Sequence, residues 1–225
     1  MTFSLLARCP ETGAFGMVIS SSSPAVAARC AHARAGVGVA ATQNITDPTL
    51  GPALLARMAA GQDARAALAA VMAEAAFVEY RQLMCVDARG QVAGFCGGQI
   101  LGRWGLAEGP GVIAGGNLLA DEAVPAAMVA GYQAATGGFG DRLLAGLQAG
   151  LAAGGEAGPV HSAGLLIVDG ESWPVADLRC DWSDEARPVE ALARAWSVYA
   201  PQMAAYVQRA RDPRAAPAYG VAGES

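Results

Sequence analysis

The segments that read as strands in this chain have no wet face, and that restricts the architectures open to it. Met17-Val18-Ile19 is apolar without interruption, where a strand with one solvated face would alternate. In Gly36-Val37-Gly38-Val39-Ala40-Ala41-Thr42-Gln43, Val37 and Val39 point one way. Gly36, Gly38 and Ala40 point the other, leaving room for a close neighbour. The helical segments are apolar on one side only. Leu54, Leu55 and Met58 share a face within Leu50–Ala60, and Leu68, Val71, Met72 and Ala75 follow an Asp63 N-cap. Sheets covered on both faces, with helices that cover one face each, are satisfied by two packed sheets with helices outside both. The expected fold is therefore a four-layer α/β/β/α sandwich of the mixed α/β (α+β) class, with a mixed three-layer sheet as the alternative.

The order of segments agrees. Residues 2–9 and 15–21 form a hairpin across Pro10-Glu11-Thr12-Gly13, and Tyr80–Val86 and Gln91–Phe95 form another across Asp87-Ala88-Arg89-Gly90. Gly111–Leu119 is a small-residue strand. Asp121 and Asp141 are candidate N-caps for helices carrying Val124, Met128, Tyr132 and Ala135, and Leu143, Leu144, Leu147 and Leu151. Ser162–Val168 and Val175–Cys180 are late strands, and Val189, Leu192, Trp196, Tyr199 and Met203 mark one last helix. One domain over residues 1–210 is expected, with a Pro-, Ala- and Gly-rich tail over residues 211–225 expected to be flexible.

Of the 225 residues 53% are apolar and the formal charge is −5, with no basic tract. Nucleic acid and anionic membrane surfaces are therefore not expected partners, and no apolar run reads as a membrane span. All 15 basic residues are arginine, which excludes lysine Schiff-base and P-loop chemistry. Five cysteines at irregular spacing, with no secretion signal before them, point to free thiols and a cytoplasmic location. Cys30-Ala31-His32 lacks a second ligand pair at zinc spacing, so no metal is expected, although a thiol or metal enzyme built on Cys30 and His32 stays a minor alternative. Trp182, Trp196, Tyr199 and Tyr206 offer either a homodimer face or packing onto the chain's own core, and a homodimer is the expectation carried forward.

Thr2 directly follows the initiator methionine and opens a core strand. If Met1 is removed, one residue carries both a nucleophile and a base. An α-amine with an ordinary pKa of about 7.7–8.0 is partly neutral near neutral pH and can take the hydroxyl proton through a water. Other polar candidates cluster where strands end. Ser20-Ser21-Ser22-Ser23 closes the second strand beside Thr2, with Ser21 and Ser22 either oxyanion or substrate contacts or part of a serine-rich turn that caps the next segment. Asn44 and Asp47 lie in Thr42-Gln43-Asn44-Ile45-Thr46-Asp47; each is a site residue or a turn former. Asn117 is an oxyanion donor or a turn residue, and Arg81 a carboxylate clamp or a structural cation.

Several of these stretches carry a family resemblance. Thr2-Phe3-Ser4-Leu5-Leu6-Ala7-Arg8, Ala33-Arg34-Ala35-Gly36-Val37-Gly38, Ala41-Thr42-Gln43-Asn44-Ile45-Thr46-Asp47-Pro48, Arg81-Gln82 with Val86-Asp87-Ala88-Arg89-Gly90, Gly115-Gly116-Asn117-Leu118-Leu119 and Asp141-Arg142-Leu143-Leu144-Ala145 resemble domain-of-unknown-function family 1028, in that order. That family is grouped with the N-terminal-nucleophile (Ntn) hydrolases. The resemblance implies an α/β/β/α Ntn-hydrolase-like sandwich and hydrolysis of a small amide or related C–N bond without a cofactor. Thr2 would be the nucleophile, Asn44 and Asn117 would stabilise the developing oxyanion, and Ser21, Ser22, Asp47 and Arg81 would bind a small-molecule substrate. A non-catalytic ligand-binding or assembly protein on the same scaffold is the alternative. Two departures stand out. Serine occupies the Ser21-Ser22-Ser23 region where many relatives have lysine, and Glu156-Ala157-Gly158-Pro159-Val160-His161-Ser162 replaces a basic stretch.

Overall fold

A computed structural model describes residues 1–222, so the last three residues of the expected tail lie outside the described residues. Ten strands form two antiparallel sheets. The larger has the order β10-β9-β2-β1-β8-β7, the smaller β3-β4-β5-β6. The larger sheet is built on the hairpin β1 (Thr2–Arg8) and β2 (Phe15–Ser21), with Phe3 opposite Ser20 and Arg8 opposite Phe15. β8 (Val112–Asn117) and β7 (Trp104–Gly109) extend it on one side, β9 (Ser162–Val168) and β10 (Ala176–Cys180) on the other. β3 (Ala31–Arg34), β4 (Gly38–Asn44), β5 (Arg81–Asp87) and β6 (Val92–Cys96) make the smaller sheet.

The apolar residues sort into layers as the two-faced strands require. Leu6, Met17, Ile19, Val39, Ala41, Met84, Val86 and Ile113 fill the space between the sheets. Phe3, Leu5 and Val18 on the opposite face meet α4 (Val124–Ala134), α5 (Phe139–Ala152) and α6 (Pro188–Tyr199). Ala40, Leu83 and Cys85 meet α2 (Leu50–Ala59) and α3 (Ala64–Glu74). The result is the four-layer α/β/β/α sandwich. The small-residue face of β4 has the close neighbour its composition predicts: a Cβ on Gly38 would lie 2.9 Å from the Met58 side chain of α2.

Several local readings need correction. α1 (Val26–Cys30) and β3 add to the expected elements; at five and four residues each is too short a run for a period to stand out in the sequence. β7 is an edge strand of exposed or half-buried residues and shows no alternation. The last helix is two: Pro201 interrupts it with a single 3-10 turn, and α7 (Met203–Arg211) follows. Asp63 caps α3 as expected, its carboxylate accepting from Ala66 N–H at 2.8 Å. Asp121 instead accepts from Ala123 N–H just before α4 begins. Asp141 sits in the first turn of α5, where Oδ2 accepts from Gly138 N–H at 2.9 Å and Oδ1 from Trp196 Nε1 at 2.7 Å. Trp196 is thereby packed into its own chain, and the Tyr199 hydroxyl donates to the Val175 carbonyl, whereas Trp182 and Tyr206 are exposed. No helix among the described residues is long and apolar enough to cross a membrane.

Candidate active site

Register across the larger sheet assembles one row of polar residues at a single end of the sandwich. Ser162 pairs with Ser21 across β9 and β2, Thr2 with Asn117 across β1 and β8, and Asn117 with Trp104 across β8 and β7. Side chains alternate along a strand, so Thr2 and Ser21 share the faces of Leu6 and Ile19, and Asn117 shares that of Ile113. All three therefore look into the space between the sheets, where polar residues replace the apolar filling. Thr2 is buried, and its Oγ1 lies 3.5 Å from Ser21 Oγ. Both hydroxyls donate to the Met1 carbonyl oxygen. Ser21 Oγ also lies 2.9 Å from Ser23 Oγ and accepts from Ser23 N–H at 3.0 Å.

Behind this row lies a buried polar network joining the sheets. Ser4 Oγ donates to Gln43 Oε1 at 2.8 Å, and Gln43 Nε2 donates to Gln82 Oε1 at 2.7 Å. Asn117 Nδ2 donates to the same oxygen at 3.2 Å, and Gln82 Nε2 donates to the Gly116 carbonyl at 3.1 Å. All four side chains have zero exposure, so the partners fix the amide orientations. Asn117 Oδ1 is left buried with no hydrogen-bond partner among the described residues, an acceptor in the row that contains Thr2.

Glu156 is the residue that the sequence did not single out. It follows Gly154 and Gly155, both at positive φ, and bridges to Leu119. Only 4% exposed, it accepts from the Ser22 N–H with both carboxylate oxygens, at 3.0 and 3.1 Å. Burial pushes its carboxyl up to about 7, against the downward pull of Ser22 and of the positive amino terminus beside it. The available signal was a lone acid in a glycine- and alanine-rich stretch. Only the fold shows that this stretch returns to the start of β1.

A raised carboxyl costs stability as it ionises. Relative to an unfolded value near 4.5, the contribution of Glu156 is full at acid pH and is lost as pH rises from about 4.5 through about 7. The expected result is a fall in unfolding free energy over that window of up to about 3 kcal/mol, at about 1.4 kcal/mol per pH unit. It should be much reduced in Glu156→Gln. Urea melts of both proteins across the window read it, and parallel curves would contradict it.

The remaining candidates form a second group at the end of the smaller sheet. Asn44 is left-handed (φ 74) and opposite Arg81. Its Nδ2 donates to the Tyr80 carbonyl at 2.6 Å, and its Oδ1 accepts from Leu101 N–H at 3.3 Å. Asp47 Oδ1 accepts from the Thr49 hydroxyl (2.6 Å) and N–H (3.0 Å) at the start of α2. These bonds hold its carboxyl below the usual range, with the Arg81 charge adding to them. Arg81 Nη1 donates to the Ile45 carbonyl, and its buried Nε has no partner among the described residues. The turn-former geometry weighed for Asn44 and Asp47 is thus present. Leu101, whose carbonyl accepts from Leu118 N–H, ties this group to the Thr2 row.

Cys30 lies at the border of the two groups, 3.6 Å from Thr46 Oγ1; burial pushes its thiol up. Burial likewise lowers the His32 imidazole, which packs on Gly51. Among the described residues no three His, Cys, Asp or Glu side chains come together as metal ligands would.

With this geometry in place, the comparisons with known proteins assign a family. A family model described as a family of unknown function, DUF1028, matches residues 2–192, and the chain belongs to that family. Among solved structures, it is similar to a crystal structure of a DUF1028 protein from Silicibacter pomeroyi. The TM-score is 0.85 at 29% identity, with 92% of this chain and 90% of that chain covered. No curated protein matches.

Proposed function

We propose that this protein is an N-terminal-nucleophile hydrolase that cleaves a small amide or related C–N bond, with Thr2 as the nucleophile once Met1 is removed. The observation that carries this reading is the Met1 carbonyl, whose oxygen accepts from both the Thr2 and Ser21 hydroxyls. An acyl carbon bound where that carbonyl lies would have the nucleophile on one side and a hydroxyl donor on its oxygen.

The free Thr2 amine takes the proton of Thr2 Oγ1 through a water, and Oγ1 adds to the substrate carbonyl. The oxygen becomes negative and is met by the Ser21 hydroxyl, in the role of an oxyanion donor. Collapse expels the amine, which leaves with the proton held by the Thr2 ammonium, and water hydrolyses the resulting ester. Glu156 and the unpartnered Asn117 Oδ1 are acceptors suited to orient the Thr2 amine. Asn44, Asp47 and Arg81 are reserved for the far end of the substrate, Arg81 offering its Nε. No cofactor enters these steps.

A panel of small acyl amides, assayed for released amine with protein whose first residue is Thr2, tests the reading. Release well above the uncatalysed rate supports hydrolysis. No release across the panel favours the second reading, a ligand-binding or assembly protein. That reading has its own observation: with Met1 in place, both hydroxyls are already engaged.

A further inference from the structure

The opposite end of β1, about 20 Å from Thr2 at about 3.3 Å per residue, carries a cleft. Its volume is about 520 Å³, and Arg8, Arg89 and Arg142 line it with Tyr132 and Gln133. Each arginine comes from a different part of the fold: the end of β1, the β5–β6 turn of the other sheet, and the first turn of α5. The turns meet there. Arg8 N–H donates to the Gly111 carbonyl at 2.9 Å, and a Cβ on Gly90 would lie 3.7 Å from Gly111 Cα and 3.8 Å from Arg8 Cδ.

Of the three cations only Arg142 is in an ion pair. The turn bearing Arg89 is fixed through its backbone, because the buried Asp87 accepts from Arg89 N–H at 2.8 Å, Gln91 N–H at 3.0 Å and Ala64 N–H at 3.0 Å. Arg142 pairs with the exposed Glu11 at 2.9 Å and lies over the Tyr132 ring, 5.5 Å from its centroid. Its Nε is buried with no partner among the described residues. Among those residues neither Arg8 nor Arg89 has a carboxylate within ion-pair distance. Three guanidinium groups line the cleft, Glu11 pairs with one of them and the Asp87 carboxylate is taken up by backbone N–H groups, which leaves Arg8 and Arg89 as cations without a carboxylate partner among the described residues, in a chain whose formal net charge is −5. Guanidinium groups match clustered oxyanion oxygens in geometry and charge.

We infer that this cleft binds a small molecule with two or more negative charges on adjacent oxygens, and that it is a ligand site separate from the Thr2 row. Phosphate esters and di- or tricarboxylates share that chemistry, and the volume accommodates either. Calorimetric titration of the full chain with pyrophosphate and, separately, citrate at constant ionic strength tests it and distinguishes the two sources. Saturable binding of one equivalent of either anion is expected. It should weaken about ten-fold or more in Arg89→Gln and vanish in the Arg8→Gln/Arg89→Gln double variant. Neither arginine is in an ion pair, so the variants should keep the melting temperature of the unliganded parent. Lack of saturation by both anions, or unchanged binding in the folded double variant, would overturn the inference.

Discussion

Thr2→Ala should lower amide turnover by about 10³-fold or more, while Thr2→Ser stays within about ten-fold of the parent, given Met1 removal in all three. One side chain carries the nucleophile, and serine offers the same hydroxyl on the same backbone. The hydroxyl contributes little to folding. Once Met1 and its carbonyl are gone, the bond left to it is the long one to Ser21, at 3.5 Å, whereas strand pairing to Asn117 is made by the backbone. The melting temperature of Thr2→Ala should therefore stay within a few degrees of the parent, which separates lost chemistry from lost fold. Turnover by Thr2→Ala at the parent rate would exclude Thr2 as nucleophile.

The largest effect on stability is expected at Gln82. Gln82→Leu conserves bulk but strips the acceptor shared by Gln43 Nε2 and Asn117 Nδ2 and the donor to the Gly116 carbonyl. Gln43 and Asn117 have zero exposure, and Gln82 is the partner of both amide nitrogens, so each of these donors is left unsatisfied. Individual losses of about 1–3 kcal/mol apply to a buried group left unsatisfied. The expected total is about 3 kcal/mol or more, read as the shift of a urea melt. Turnover should fall as well, since Asn117 is oriented only through Gln82 among the described residues. A shift below about 1 kcal/mol would mean that the space between the sheets at this end is wet.

The architecture was legible because it follows from the faces of the strands. Met17-Val18-Ile19 has to be covered on both sides, and the structure covers Met17 and Ile19 with the other sheet and Val18 with helices. The β1–β2 hairpin and the placement of Thr2 within it followed from turn chemistry and burial. What stayed hidden depends on contacts far apart in sequence. Nothing local ties Glu156 to the Ser22 N–H, and the carbonyl oxygens that orient Gln82, and through it Asn117, belong to other strands. β7 pairs at an edge through its backbone, so its side chains carry no alternating record of it. Asn44 was legible as a polar residue at a strand end. Its left-handed backbone and its bonds to Tyr80 and Leu101 were not.

The intact mass of the native, untagged protein tests the central claim most directly, because the mechanism needs a free threonine amine. Loss of one methionine, leaving Thr2 as the first residue throughout the soluble pool, is the predicted result. Retention of Met1 across that pool would leave Thr2 with an amide nitrogen and no base, and would contradict the proposed chemistry.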